Sequence, residues 1–500
     1  MKSVLKYILL LPLLALVACT AQLPQKYVEK DELPSIFPEY TNVTIPCNIA
    51  PLTFRVDVEG YACVTSLKAG DQQIIIGGRE VACSPSEWNA LVATAKDGSI
   101  KVDIFVEQGG VWAKYKTFDI FVSPDEIDPY ISYRLIPPSY VAYEKLTINQ
   151  RALSSYDEDV IFSNMMIETE PTGQCINCHS YKNYKTDTMQ FHVRQTLGGT
   201  IFVRNGEVKK MNLKSDSTIS AGVYPSFNPK YDVVAYSVNT TGQVFHTAHP
   251  NKVEVQDTLS DIIIYNPVNE TVTNVANDPN LLEVFPTWSP DGKTLYYCVA
   301  DVKCDNPAKT RVTQLVEGYK EIKYDVVRRS WDPKTELFGE VDTVFLASAM
   351  GKSATFPRVS PCGKYLLFAL GEYGCFHIWH KDADLYLLDL ESGRSWPLEN
   401  ANSPFAESYH AWSSNGRWIL FASRRIENNY SRLFIAHVNP DGTSDKAFVL
   451  PQKTPGFYEF FDRSYNVPEF MIEPVNVTPQ EFANVVKGEA GSVKYSPNVK

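Results

Sequence analysis

From about residue 40 onward, apolar and polar residues alternate with a period of two rather than 3.6, the pattern of half-buried strands. Leu52-Thr-Phe-Arg-Val-Asp-Val, Gln73-Ile-Ile-Ile, Ile100-Lys-Val-Asp-Ile-Phe-Val and Lys116-Thr-Phe-Asp-Ile-Phe-Val read as strands, with turn signals at Asp97-Gly and Gly109-Gly. Short strands at this spacing predict a β-sandwich over 36–125, about an immunoglobulin domain in size. It holds no cluster with evident chemistry, so a spacer or docking role is the default. Residues 126–190 lose the alternation. Ser123-Pro-Asp-Glu-Ile-Asp-Pro129 and Ile136-Pro-Pro-Ser are linker-like, and an irregular segment wrapped on its neighbours is expected.

Over 191–480 a longer pattern recurs. Its copies are Tyr224-Pro-Ser-Phe-Asn-Pro-Lys, Phe285-Pro-Thr-Trp-Ser-Pro-Asp-Gly-Lys, Phe356-Pro-Arg-Val-Ser-Pro-Cys-Gly-Lys and Tyr409-His-Ala-Trp-Ser-Ser-Asn-Gly-Arg, each followed by an apolar strand. Gly supplies the positive φ of a hairpin turn, and Pro and Asp preset its first corner. Partner strands such as Asp261-Ile-Ile-Ile-Tyr and Asp384-Leu-Tyr-Leu-Leu lie between copies, as four-stranded propeller blades require. These segments resemble the WD40-like repeats of the TolB-type β-propeller. The resemblance implies an all-β chain: a sandwich, then a propeller of five or six blades, with 481–500 as a tail. It says little about activity, because propellers host binding, scaffolding and catalysis alike.

Composition agrees with this class. Apolar residues make up 44% of the 500 positions and Pro (32) outnumbers Gly (26), against disorder and against helix bundles. The net charge of -11, without a Lys/Arg stripe, excludes a phosphate-tracking nucleic-acid protein.

The N-terminus sets the expected compartment. Lys2 and Lys6 precede the apolar run Ile8–Ala18, too short for a permanent span, and Leu16-Val-Ala-Cys19 resembles a bacterial lipobox. The resemblance implies a signal peptide at 1–18, lipid on Cys19, a polar tether at 19–35 and an outer-membrane anchor in the cell envelope. An ordinary signal peptide with an incidental Cys is the alternative. Of the other cysteines, Cys362 with Cys375 and Cys298 with Cys304 could bridge, or stay buried thiols.

One motif carries chemistry. Cys175-Ile-Asn-Cys178-His179 is a Cys-x-x-Cys-His, the signature of c-type haem attachment. Two thiols three positions apart reach the two vinyl groups on one porphyrin edge, and the adjacent His falls beneath the iron. Met189 and His192 are candidates for the sixth ligand. In a strand they face opposite ways, so at most one reaches the iron, and His192 is favoured. A zinc site, a thioredoxin-like redox pair, and a disulfide or haem-less remnant are the competing readings. His246-x-x-His249 and His377-x-x-His380 are weaker metal candidates beside ordinary surface histidines. No Gly-x-Ser-x-Gly elbow, His-Glu-x-x-His, Walker loop or Rossmann fingerprint occurs.

The whole also resembles a group of Bacteroidetes-type lipoproteins that join a β module, a Cys-x-x-Cys-His segment and a TolB-like propeller, through Ile45-Pro-Cys-Asn-Ile-Ala-Pro-Leu, Tyr133-Arg-Leu-Ile-Pro-Pro and Phe191-His-Val-Arg. The expected function is a lipid-anchored protein holding one covalent haem c for electron transfer or redox sensing, with an envelope or redox partner. The alternative is a haem-free scaffold whose propeller face docks a protein or glycan. Neither reading makes it an enzyme, and a third, a carbohydrate-active propeller enzyme, has only scattered carboxylates behind it.

Overall fold

The computed structural model describes residues 21–137, 145–167, 175–245 and 253–497; the leader, Cys19, His246 and His249 lie outside them. Among the described residues no helix is long and apolar enough to cross a membrane.

The N-terminal unit is built on a seven-stranded sheet whose longest member is Gly98–Gln108, with a small three-stranded sheet beside it. The strands that alternation marks are present. A helix, Pro85–Ala95, is added to them. Ser84 starts it by accepting from the Glu87 N–H while Glu87 reaches back to the Ser84 backbone, a reciprocal cap. Trp88, Leu91, Val92 and Ala95 form its buried face. The tether is shorter than expected, because Val28–Glu29 pairs with Ala113 and Lys114 at the sheet edge.

The remainder is a ring of six blades, three five-stranded with inner strands Ile176–Lys182, Val223–Phe227 and Leu281–Trp288, and three four-stranded with inner strands Ser353–Val359, Glu407–Trp412 and Ser464–Met471. The first of these opens blade one and the last belongs to blade six. Blade six is composite. Its outer strands Tyr130–Ile136, Thr147–Ala152 and Glu158–Ser163 come from before blade one, and its inner strand comes from near the C-terminus. Tyr130–Ile136 pairing with Ser464–Met471 thus closes the ring, leaving no open sheet edge at the seam.

Two expectations are corrected here. Residues 126–190 are not an irregular connection: they supply three strands of blade six and the first two of blade one, Ile176–Lys182 and Lys185–Val193. Tyr130–Ile136 and the second half of Lys185–Val193 are largely buried on both faces, so the apolar–polar alternation that marks a half-exposed strand is weak in them. The tail is ordered too. Helix Pro479–Lys487 packs by Phe482 and Val486, and Gly491–Ser492 and Lys494–Tyr495 add parallel strands to the outer edges of blades one and two.

The repeated turn works as its residues suggest. The Ser289 hydroxyl donates to Asp291 (2.5 Å) and accepts from the Thr294 N–H (3.0 Å), while Gly292 takes φ 72°. Ser360 and Ser413 accept from Tyr365 and Trp418 in the same way. The N-terminal unit docks on blade five. Asp125 accepts from Arg417 (2.9 Å) and faces His437 (3.0 Å), whose other ring nitrogen faces Asp445 (3.1 Å), and Asp128 accepts from the Ser414 N–H (2.7 Å).

Candidate functional site: the axial channel

Each inner strand carries a one-residue bulge at the same level. The pairing slips between Asn177 and Ser180, Val223 and Ser226, Val284 and Thr287, Thr355 and Arg358, Ser408 and Ala411, and Asn466 and Glu469. In all six the same position is left-handed: Cys178 (57°), Tyr224 (51°), Phe285 (58°), Phe356 (53°), Tyr409 (47°) and Val467 (46°). For a residue with a side chain that conformation costs on the order of 1–3 kcal/mol, and it persists only where surroundings enforce it. Its use here is to turn these side chains toward the axis.

The result is a plug. Phe285 and Phe356 stack at 3.9 Å, Tyr224 meets Phe285 edge-on at 4.8 Å, and Tyr409 meets Phe356 at 4.9 Å. Phe376 reaches the plug from the upper side, 6.2 Å from Tyr224 and 6.3 Å from Phe285. The upper mouth is covered by the hairpin Val234–Phe245 and Val253–Asn266 and by the turn around His377–Trp379. Beneath this cover Glu254 faces His380 (3.2 Å) and Asp257 accepts from Asn239 and Thr241 (2.8 Å each). Burial lifts the Asp257 carboxyl to about 6.

The Cys-x-x-Cys-His motif lies in this ring. Cys178 takes the slot filled by an aromatic residue in blades two to five and by Val467 in blade six, and His179 takes the slot of Pro225, Pro286, Pro357, His410 and Pro468. Burial raises the Cys178 thiol. His179 is 1% exposed, and burial followed by the Arg134 charge drives its imidazole down to about 3, so it is neutral. Neither of its ring nitrogens has a hydrogen-bond partner, although the Ser132 and Val467 backbones face the ring.

A neutral, unpartnered imidazole beside two cysteines suits an iron ligand, but the space does not suit a haem. The cavity that His179 shares with His410, Arg358 and Glu469 is about 40 Å³, enough for a water molecule or two. Packed aromatic rings occupy the level of Cys178. The sixth-ligand candidates are also placed elsewhere. Met189 is fully buried in the apolar cluster with Phe162 and Phe191. His192 pairs its Nδ1 with Thr200 (3.2 Å) and feels Arg194, whereas His179 faces Arg134 of blade six. Cys175, Cys178 and His179 as folded here do not fit a haem. Among the described residues no three His, Cys, Asp or Glu side chains gather as a metal site, and all cysteines are free thiols. His377 bonds Thr355 through Nδ1 (2.9 Å).

The lower mouth is open. Below the plug the inner strands line a blind-ended cup of about 390 Å³, ringed by the hairpin turns at Asn183, Pro229, Pro290 and Pro361. On its floor Arg358 donates to Glu469 (Nη2–Oε1 3.3 Å). Motif reading did not single out either residue. Their signal was the departure from small residues at one slot of the repeat, Arg358 where Ser226, Thr287 and Ala411 stand.

Six radially arranged sheets of four or five strands, with a composite closing blade, define the chain as a six-bladed β-propeller carrying an N-terminal β-rich unit. No family model and no curated protein matches it. Solved structures similar to it include an oligogalacturonate lyase from Vibrio parahaemolyticus (10% identity, 63% of this chain and 100% of that one, TM-score 0.30). A β-propeller domain from Myceliophteria thermophila is another (10%, 76% and 97%, 0.27), as is a puromycin-hydrolyzing peptidase from Mycobacterium tuberculosis (11%, 80% and 49%, 0.29). These are likenesses of fold alone.

Proposed function

We propose that this chain is a binding protein of the cell envelope, whose propeller receives a partner in the cup at its lower mouth. The observation that carries this reading is the contrast between the two ends of one channel. The end with the Cys-x-x-Cys-His motif is filled, and the other holds about 390 Å³, within the roughly 300–1,000 Å³ of ligand pockets. Prolines and aromatic rings interleaved with convergent polar groups suit recognition. The lipobox-like Leu16-Val-Ala-Cys19 supports an envelope setting. Lipid on Cys19, a few residues before Tyr27 packs on Phe105 of the N-terminal sheet, would hold the propeller at the outer membrane.

The test is site-specific photo-crosslinking in cells. A photoreactive residue at Asn183 on the cup rim is expected to give a discrete adduct, one at Val268 on the outer surface none, and Ser180→Trp, which fills the cup, is expected to abolish the first. Equal adducts at both sites, or an adduct unaffected by Ser180→Trp at unchanged melting temperature, would contradict the reading.

A further inference from the structure

Resting on the cup as the binding site, we propose that its occupant is the carboxyl-terminal end of a peptide and that Arg358 binds the free carboxylate. The layer flooring the cup consists of Ser180, Ser226, Thr287, Arg358, Ala411 and Glu469. Four of these are small. The charged pair comes from blades four and six, and Ala411 between them leaves Arg358 room to reach across. A guanidinium carries five N–H donors in a planar fork. Among the described residues Glu469 is the one acceptor for the Arg358 side chain, through one bond at 3.3 Å. The side chain is 28% exposed, and what is exposed faces the cup. A carboxylate is the acceptor that satisfies such a fork, with two parallel bonds.

Charge points the same way. The chain carries -11 overall, yet the charged residues lining the cup are Arg358 and Lys230 against Glu469 alone. Shape then selects the source of the carboxylate. The plug makes the cup blind, so it admits a chain end and not the middle of a polymer. Pro225, Pro290, Pro361, Phe227 and Val359 form apolar ground between the polar Ser180, Asn183, Ser226 and Thr287. The apolar last residue of a peptide would remove that apolar surface from water while its carboxylate meets Arg358.

Calorimetric titration of the mature chain tests this with acetylated tripeptides ending in Ala, Val, Leu or Phe, as free acids and as amides, and with glucuronate. At least one free acid is expected to bind, with its amide weaker by roughly 10- to 100-fold, the range for a hydrogen bond to a charged group. The double change Arg358→Gln, Glu469→Gln removes both charges without stranding one in the interior. It is expected to erase the preference for the acid at unchanged melting temperature. Acid and amide binding alike overturns the carboxylate and leaves the cup as a binding site. Glucuronate binding in place of the peptides overturns the peptide end. Binding of none overturns the inference outright, while the Asn183 crosslink separately decides whether the cup binds anything.

Discussion

Blade three and blade one put different chemistry into the same slot. In blade three the inner strand runs Phe285-Pro-Thr-Trp, and in blade one Cys178-His-Ser-Tyr, with the same bulge and nearly the same left-handed φ, 58° and 57°. Phe285 packs at the centre of the aromatic plug, while Cys178 and His179 fill the corresponding gap with smaller, more polar groups. The backbone slot therefore decides where a residue points, and a motif's meaning depends on the slot it occupies. Three positions of spacing suit a porphyrin edge where the chain is free to wrap one. On a strand between two blades the same spacing sets one thiol against the plug and leaves the histidine walled in.

The comparison is most strongly strained by truncating the plug. Phe285→Ala should cost about 3–5 kcal/mol, the usual loss for a buried Phe, whereas Cys178→Ala should cost about 1 kcal/mol. Urea melts of the two variants check this, and equal losses would deny that blade three bears the plug and blade one merely completes it. The covered upper mouth has its own signature. The Asp257 carboxyl is raised to about 6 from 3.8, so the fold favours its protonated form. Stability from that group is present below about pH 4 and is lost as pH rises to about 6, by an amount on the order of 3 kcal/mol. Asp257→Asn should remove this pH dependence and raise the midpoint at neutral pH, as thermal melts between pH 4 and 7 would show.

At the junction with the N-terminal unit the sign is opposite. Burial opposes ionisation of Asp125 and Asp445, but His437 bonded to both, and Arg417 at Asp125, hold both carboxyls below their ordinary value. Their contribution is present above about pH 4 and lost as pH falls further. Limited proteolysis should release the N-terminal unit more readily at pH 3, and Asp125→Asn should weaken docking by about 1 kcal/mol at pH 7. The smallest effect makes blade one resemble its neighbours. His179→Pro restores the residue of four other blades and removes two unpartnered ring nitrogens, and it should stabilise by about 0.4–1 kcal/mol. A loss of several kcal/mol would show that His179 holds something Pro cannot.

Much of the ring was legible in the chain. Four copies of the aromatic-led strand announced blades, three of them with a Ser-x-x-Gly turn whose Ser and Gly the turn needs for its own hydrogen bonds and positive φ. The remaining two copies, Cys178-His-Ser-Tyr and Val467-Pro-Glu-Phe, kept the slot and lost the aromatic. One carries the Cys-x-x-Cys-His motif in place of the repeat's residues, and the other went unnoticed. Ring closure was hidden because Tyr130–Ile136 is buried on both faces and ends at Pro137-Pro138, which looks like a linker. The helix at Pro85–Ala95 carried its signature in Ser84-Pro-Ser-Glu87, masked by strands on either side. Arg358 and Glu469 stand 111 residues apart, and only the closed ring brings them together.

The claim that blade one seals the channel rather than carrying a cofactor is tested most directly by the intact mass of the mature protein, made in cells competent in haem attachment. The expected mass is that of the processed chain, with lipid on Cys19 and no covalent tetrapyrrole, and without a haem absorption band on reduction. A mass increased by one haem, lost on changing Cys175 and Cys178 to Ala, would contradict it.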